Sequence, residues 1–240
     1  KNKKLSMRQN HVAGEKLFID YSGKKPRILD VETGAFTEVE LFVATMGASN
    51  FTYAEATRTQ QSADFFQSHI RAFEYLGGVP ALIVPDQLKS GVTTSCIYDP
   101  KIQRTYEEMA GHYGTSVMPA RPRKPKDKSK VEVAVQIVQR WILACIRNEI
   151  FTSLSALNKR IRELVDELNE REMKTYKKSR RALFESLDKP VLQPLPRERF
   201  VFADFSIARV PKDYHVVVDH HAYSVPYTLV SEILDVRLAA

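Results

Sequence analysis

The apolar run Leu82-Ile83-Val84, which ends at Pro85-Asp86, constrains the fold of this chain more than any other short segment. Consecutive branched apolar residues are typical of a strand that is buried on both faces, as strands inside an α/β sheet are. Pro-Asp is ordinary turn chemistry, but ligands of α/β sheets bind beyond the carboxyl ends of the strands, where Asp86 falls. Asp86 is therefore either a turn residue or a site residue.

The segments around this run predict a mixed sheet with helices. We expect a strand at 15–23, two strands that pair as a hairpin around the turn signal at Gly34, and further strands at 50–57 and 115–120. Helices are expected at 61–77 and 100–114. With the hairpin counted once, the resulting order is β-β-β-α-β-α-β-α, which predicts an α/β fold. An antiparallel meander comes first, and helix-linked strands of the same sheet follow it.

Further helices and a strand-rich end are predicted in the second half. The helix expected at 130–150 has apolar residues at the spacing of one face, namely Val131, Val135, Val138, Ile142 and Cys145, and another amphipathic helix is expected at 153–172. Prolines at 190–196 indicate a linker, and the short strands after it, with a hairpin turn at 219–221, predict a small β-barrel. We therefore expect an N-terminal linker (1–14), a core (15–150), a helical extension with linker (151–189) and a β-barrel domain (190–240).

Positive charge is concentrated in two segments of a chain with a formal net charge of +7. They are "RPRKPKDKSK" at 121–130 and "REMKTYKKSRR" at 171–181. Clustered positive charge indicates a nucleic-acid partner, with a solvated loop as the alternative. The candidate DNA-binding residues in these segments are Arg121, Arg123, Lys124, Lys126, Lys128, Lys130, Lys177, Lys178, Arg180 and Arg181. Lys89, which closely follows Asp86, is a further candidate, with a solvated loop again as the alternative.

Several classes of protein are disfavoured by composition. The sequence has no apolar run of membrane-spanning length and no signal-like segment, so no membrane partner is expected. Its two cysteines have neither a zinc-ligand spacing nor enough partners for a disulfide framework. These features predict a reduced, cytoplasmic protein without structural zinc.

Three acids occupy comparable places in the predicted elements. Asp20 lies on or just after the first strand, Asp86 ends the fourth, and Glu132 lies near the start of the helix that follows the first basic segment. Converging carboxylates repel each other, and Mg²⁺, which prefers carboxylate oxygens, relieves that repulsion and can support in-line phosphoryl transfer. Other interpretations stay open, because Asp20 could close a turn with Ser22 and Ser129-x-x-Glu132 fits a helix capping box.

Longer motifs make the chain recognisable. They are "FIDYSG", "VATMGASNFTYAEAT", "HIRAFEYLGGVPALIVPDQLKSGV", "HYGTSVMPARPRKPKDKSKVEVAVQIVQRWILA" and "DYHVVVDHHAYSVPYTLV". With these motifs the chain closely resembles the IstA-type transposases of bacterial insertion sequences (the IS-twenty-one group), which are relatives of retroviral integrases. The resemblance covers nearly the whole sequence.

The resemblance implies a ribonuclease H-like core with a mixed five-stranded sheet, a small C-terminal β-barrel and a D-D-E metal site. Asp20, Asp86 and Glu132 would be the catalytic residues and the metal ligands. They would hold two Mg²⁺ ions, with Mn²⁺ as a substitute, and Asp20 would bridge both ions. Gln87 stands where the family usually has Asn, which we expect to tune the site without abolishing it.

For function, the resemblance implies the catalytic region of a DNA transposase, which cleaves transposon 3′ ends and transfers them to target DNA. The implied partners are transposon-end and target DNA, further copies of the chain assembled on paired ends, and an AAA+ ATPase helper of the IstB type. The implied location is the bacterial cytoplasm, in association with the nucleoid. Such proteins carry N-terminal helix-turn-helix modules, so we expect this sequence, which begins at Lys1, to be part of a longer protein. The alternatives are a metal-dependent, structure-specific DNA nuclease and a non-catalytic DNA-binding or assembly module.

Overall fold

A computed structural model describes residues 11–85, 100–118 and 125–239, with side chains for 11–85, 104–118 and 132–239. The strands are β1 (Lys16–Tyr21), β2 (Arg27–Leu29), β3 (Phe36–Glu38), β4 (Glu40–Met46), β5 (Thr52–Thr57), β6 (Leu82–Pro85), β7 (Ser116–Val117), β8 (Glu172–Met173), β9 (Lys178–Ser179), β10 (Ala203–Arg209), β11 (His215–Val218), β12 (His221–Ser224) and β13 (Ile233–Ala239). The α-helices are α1 (Ser62–Leu76), α2 (Pro100–Tyr113), α3 (Pro125–Val138), α4 (Ala144–Ile146), α5 (Leu154–Glu170) and α6 (Arg180–Leu183). Two π-helical segments (Gln139–Leu143 and Phe184–Asp188) and two 3₁₀ turns (Lys189–Val191 and Tyr227–Leu229) complete the described elements.

The central sheet has five strands in the order β5-β4-β1-β6-β7. β1 and β5 each pair antiparallel with β4, whereas β6 pairs parallel with both β1 and β7. The predicted mixed five-stranded sheet is therefore confirmed. The hairpin expected around Gly34 is also present, but its two strands, β2 and β3, form a small sheet of their own.

Helices cover both faces of this sheet. Side chains alternate between the two faces along each strand, so neighbouring residues of β1 pack against different helices. Leu17 and Ile19 of β1 belong to a core cluster with residues of α1 and α2, and Phe18 between them belongs to a second cluster with residues of α3 and α5. The α3 face of the sheet is thus the face on which even-numbered residues of β1 lie. Asp20 is one of these residues.

α5 closes the free edge of the sheet through two asparagine side chains. Asn169 accepts a hydrogen bond from Thr52 N (3.0 Å) and donates one to Thr52 O (2.8 Å). Asn158 makes the same pair of contacts with Ala56 N (2.6 Å) and Ala56 O (2.9 Å). Since an open strand edge exposes unpaired backbone groups, these amides take the place of a sixth strand.

The helix that carries Glu132 differs from its prediction in two ways. It begins at Pro125 instead of 130, since proline is favoured in the first turn, where its missing N–H is not needed. The apolar stripe continues from Val135, Val138 and Ile142 to Ile146, and Cys145 is exposed. The prediction that Cys145 lies on the buried face is therefore wrong. The π-helical turn adds a residue to the helix and moves the buried position from 145 to 146.

The segment predicted as a linker lies against the core. Gln193 pairs with Val79 through N–H···O bonds of 2.8 and 3.0 Å in the two directions. The buried Asp188 accepts hydrogen bonds from Gly14 N (2.7 Å) and Ser49 N (3.1 Å). An added Cβ at Gly14 would lie 2.5 Å from Val191 Cγ2, so the packing there requires glycine.

The C-terminal region is strand-rich, as predicted. Its described strands form two two-stranded antiparallel ladders, β10 with β13 and β11 with β12, and no closed barrel. The first ladder contacts α2, where Arg104 pairs with Asp235 (2.9 Å) and stacks on the Phe205 ring (4.3 Å to the centroid).

Candidate active site and basic surfaces

Asp20 occupies the next-to-last position of β1. Its side chain is half-buried, and its Oδ1 accepts a hydrogen bond from Tyr21 N at 2.8 Å. It lies on the face of Phe18, which is the face covered by α3. On the opposite face, burial raises the pKa of the neighbouring Tyr21 phenol above its usual value, so that group stays neutral. The carboxylate of Asp20 is thus the group that this end of β1 directs toward α3.

Glu132 lies in the third turn of α3 and is exposed. Three residues later Val135 is buried against the same sheet face, and residues three apart lie on one side of a helix. α3 packs against β1 and β4, the strands that carry Asp20 and its pairing partner Val43. Because the helix begins at Pro125, Ser129 lies inside it, so the capping-box interpretation of Glu132 is wrong.

A direct hydrogen bond joins the two elements that carry these acids. Gln139, one residue beyond the end of α3, donates from Nε2 to Ser22 Oγ at 2.9 Å. Ser22 is buried, and its hydroxyl also donates to Lys24 O (2.8 Å) and accepts from Lys24 N (3.2 Å). Ser22 therefore closes the turn after β1 and at the same time fixes the position of the Glu132 helix. Sequence reasoning missed this contact, because no local pattern relates residues so far apart.

Asp86, the second predicted ligand, lies outside the described residues. Among the residues that are described, no group of three or more His, Cys, Asp or Glu side chains forms a metal site. The two acids that are described nevertheless fit a Mg²⁺ site chemically, since both are carboxylates and the elements that carry them pack together on one face of the sheet. The parallel ladder between β1 and β6 ends with Ile19 opposite Pro85, the residue that precedes Asp86 in the chain.

The first predicted basic segment is described from residue 125 onward, and only as backbone. Lys89, Arg121, Arg123 and Lys124 lie outside the described residues. Lys126, Lys128 and Lys130 belong to the first two turns of α3, so this part of the segment is helical. Their assignment to DNA stays a prediction.

The second basic segment divides into two kinds of residue. Arg180 is buried and donates from Nη1 to Leu168 O (3.1 Å), and Arg181 pairs with Glu170 and with Asp166 (3.2 Å). Lys177 and Lys178, by contrast, are exposed on a hairpin formed by β8, β9 and the loop between them. We call residues 171–179 the basic hairpin; Lys174 and Tyr176 of its loop are exposed too, and sequence analysis did not single them out.

The fold is that of a retroviral integrase catalytic core. A simian T-cell lymphotropic virus intasome, in complex with the PP2A regulatory subunit B56 gamma, contains a chain that matches with a TM-score of 0.56 at 14% identity. That match covers 95% of this chain and 82% of the other. The HTLV-2 integrase catalytic core domain, solved with magnesium in a trimeric form, matches with a TM-score of 0.51 at 13% identity, over 73% of this chain and 99% of its own.

The sequence matches are more specific. The protein named "Putative transposase for insertion sequence IS408" from Burkholderia multivorans is 49% identical over 99% of this chain and 46% of its own length. "Transposase for insertion sequence element IS21" from Pseudomonas aeruginosa is 27% identical over 86% of this chain and 52% of its length. Residues 195–240 match the family model "Mu transposase, C-terminal domain". The chain is therefore a homologue of insertion-sequence transposases, and it spans about half the length of the curated relatives that it matches.

None of the helices in the described part of the chain is long and apolar enough to cross a membrane.

Proposed function

We propose that this chain is the catalytic region of a D-D-E DNA transposase, with Asp20, Asp86 and Glu132 as its catalytic carboxylates. The observation that supports this most directly is that Asp20 and Glu132 lie on elements packed together on one face of an integrase-like sheet. The hydrogen bond between Gln139 and Ser22 holds these two elements in register. Asp86 would join them because one peptide bond links it to Pro85, at the end of the strand beside β1.

Two Mg²⁺ ions, or Mn²⁺ in their place, would be held by these three carboxylates. Bound metal would supply charge stabilisation to the attacking and leaving oxygens of an in-line phosphoryl transfer. Asp20, Asp86 and Glu132 would each supply carboxylate oxygen to the bound metal. The hydrogen bond from Tyr21 N holds Oδ1 of Asp20 in one orientation.

The proposed reaction has two stages. Water attacks a phosphodiester at each transposon end and frees a 3′ hydroxyl. That hydroxyl then attacks a phosphodiester of the target, which forms the new DNA bond and releases the target's own 3′ oxygen. No covalent enzyme intermediate is required, so no Ser, Tyr or Cys nucleophile is assigned.

The partners proposed are transposon-end and target DNA, further copies of the protein assembled on paired ends, and an AAA+ ATPase helper of the IstB type. The lysines and arginines predicted at 89 and 121–130 would contact phosphates near the scissile bond, since such contacts position DNA without reading its sequence. The proposed setting is the bacterial cytoplasm, where the chromosome lies.

The test is transfer of a pre-cut transposon-end duplex into plasmid DNA by the full-length protein with Mg²⁺ and its ATPase helper. Glu132→Gln and Asp20→Asn remove charge while keeping side-chain shape, and the Asn can still accept the Tyr21 N–H. Glu167→Gln, which changes an exposed carboxylate of α5, is the matched control.

Joined product from the wild type and from Glu167→Gln, but from neither site variant, is the expected result. Equal joining by Glu132→Gln would refute its role as a ligand. Nicking without joining, lost in both site variants, would replace the transposase assignment with a nuclease.

A further inference from the structure

The loop of the basic hairpin places a lysine where the backbone favours glycine. Tyr176 N and Lys177 N both donate to Met173 O, at 3.2 and 2.9 Å, and Lys177 has φ of 54°. A tight turn followed by one left-handed residue is a common way to close a hairpin, and Gly or Asn usually occupies that last position. A residue with a Cβ adopts it at a cost. Strained backbone positions of this kind cluster at functional sites, so the lysine side chain is a candidate for a functional role.

The charges of the hairpin are available to a partner. Residues 171–178 carry four basic side chains and a single acid, Glu172. Within the described part of the chain, no carboxylate lies at ion-pair distance from Lys174, Lys177 or Lys178. Tyr176, between these lysines, is 45% exposed. Exposed lysines around an accessible aromatic ring are typical of nucleic-acid-binding surfaces.

The base of the hairpin is held firmly. Arg180 is anchored to the end of α5 through Leu168 O, and Arg181 lies over the Phe51 ring while it pairs with Glu170 and Asp166. Asn50 Nδ2 donates to Met173 Sδ at 3.9 Å. The lysines therefore project from a rigid support, which lowers the entropy lost when they bind a ligand.

The hairpin lies at the other end of the sheet from the carboxylates. Asn50, which contacts Met173, belongs to the turn between β4 and β5, and this turn follows Met46. In the antiparallel ladder Met46 pairs with Leu17, whereas Asp20 pairs with Val43. Three residue steps along the strands separate these levels, about 10 Å, and the turn adds to that distance. A ligand at the hairpin is thus distinct from the phosphate at the scissile bond.

We propose that the basic hairpin binds the DNA phosphate backbone without sequence preference, at the end of the core opposite Asp20. The inference rests on the proposed function only in taking DNA as the polyanion. Lys174, Lys177 and Lys178 would each contact a phosphate, and Tyr176 would pack against the sugar-phosphate edge. DNA held at the scissile bond would then have a second contact, beyond the turn between β4 and β5.

The experiment separates backbone strain from binding by means of Lys177→Gly. Thermal unfolding of this chain is measured alongside fluorescence anisotropy of a labelled 30-base-pair duplex of arbitrary sequence, in EDTA and at several salt concentrations. Lys177→Arg keeps the charge. Ser231→Gly is the matched backbone control, because Ser231 is also exposed and has φ of 72°, yet carries no charge.

Lys177→Gly is expected to raise the melting temperature by roughly 2–4 °C while weakening DNA binding. Each lost phosphate contact changes the slope of log Kd against log salt by about 0.9, which is a change of up to about eightfold in Kd at 0.1 M salt. Ser231→Gly should raise the melting temperature alone, and Lys177→Arg should leave Kd and its slope unchanged.

Binding of Lys177→Gly with wild-type affinity and slope would overturn the proposal, as would the absence of DNA binding by the wild-type chain. A lower melting temperature for Lys177→Gly would overturn the strain argument on which the proposal rests. Since EDTA prevents metal-dependent chemistry, a failure of the catalytic assignment would not change any of these results.

Discussion

Replacement of Asn169 should destabilise the protein more than replacement of any other polar residue of α5. Its side chain is fully buried and makes three hydrogen bonds: to Thr52 N (3.0 Å), Thr52 O (2.8 Å) and the Tyr75 hydroxyl (3.0 Å). Thr52 is itself buried, so water cannot replace the lost partner. Asn169→Ala therefore leaves one backbone donor and one backbone acceptor unpaired in the interior.

Each unpaired buried group costs about 1–3 kcal/mol, so Asn169→Ala should lower the free energy of unfolding by roughly 2–6 kcal/mol. That is a large part of the ~5–15 kcal/mol by which a domain is typically stable. Asn158 provides the comparison, because it makes the same paired contacts with Ala56 but is only half-buried. Ala56 is as buried as Thr52, but the half-exposed Asn158 side chain borders solvent, so water can enter the space that its removal leaves. Asn158→Ala should therefore cost about 1 kcal/mol.

Urea unfolding followed by far-ultraviolet circular dichroism measures both free energies, provided that the wild-type and variant slopes agree. Asn169→Asp is a useful third variant. The aspartate can still accept a hydrogen bond from Thr52 N, but its second oxygen faces Thr52 O with no hydrogen to donate. The free energy of unfolding of Asn169→Asp should therefore be lower than that of the wild type at neutral pH. An Asn169→Ala protein within 0.5 kcal/mol (about the scatter of surface substitutions) of the wild type would refute the edge-closing role. A larger loss for Asn158→Ala than for Asn169→Ala would refute the argument from burial.

Three further predictions concern the site and the core. Gln139→Leu removes one hydrogen bond, worth about 1 kcal/mol, and should raise the Mg²⁺ concentration needed for half-maximal joining. In a Ser22→Ala background the same substitution should have little effect on that concentration. A full effect in that background would contradict a role for the hydrogen bond between Gln139 and Ser22. Burial lowers the pKa of His69 to about 4, so it stays neutral in the fold, with Nδ1–H donating to Phe65 O (2.7 Å) and Nε2 accepting from the Tyr106 hydroxyl (2.6 Å). The unfolded chain takes up a proton at this histidine near pH 6.5, whereas the folded chain does so only near pH 4. The free energy of unfolding should therefore keep the full contribution of neutral His69 above pH 6.5 and fall by roughly 3 kcal/mol as the pH drops toward 4. His69→Gln should flatten this pH dependence, as measured by urea unfolding at a series of pH values. EDTA should abolish joining but not DNA binding, and Mg²⁺ or Mn²⁺ should restore it; joining that persists in EDTA would rule out metal catalysis.

Much of the core could be predicted because its pattern is local. The strand at 82–85 was visible as an apolar run, and β1, β4 and β5 as β-branched and aromatic segments. Asp20 and Glu132 could be assigned to a strand and a helix from the same patterns. The start of α3 could not, since charged residues between prolines have the composition of a loop, yet the segment from Pro125 onward is helical.

The basic segment at 171–181 shows the limit of prediction from local sequence patterns. Its six basic residues look alike in the sequence, but Arg180 and Arg181 are anchored to α5 while Lys177 and Lys178 are exposed. The hairpin itself gave no signal, because the left-handed position that Gly or Asn would mark is occupied by Lys177. Charge density in a sequence identifies a basic segment; only packing shows which of its charges a ligand can reach.

The sequence by itself determined the fold class and the relationship to transposases, and it supplied the carboxylates proposed for the site, because strand and helix periodicity and contiguous motifs are properties of neighbouring residues. Tertiary structure decided which face of the sheet receives Asp20 and Glu132, how Gln139 reaches Ser22, and how Asn158 and Asn169 close the edge of β5. Each of these contacts joins residues about a hundred positions apart or lies between separate elements. Such contacts form only when the sheet and helices pack, so no local pattern encodes them.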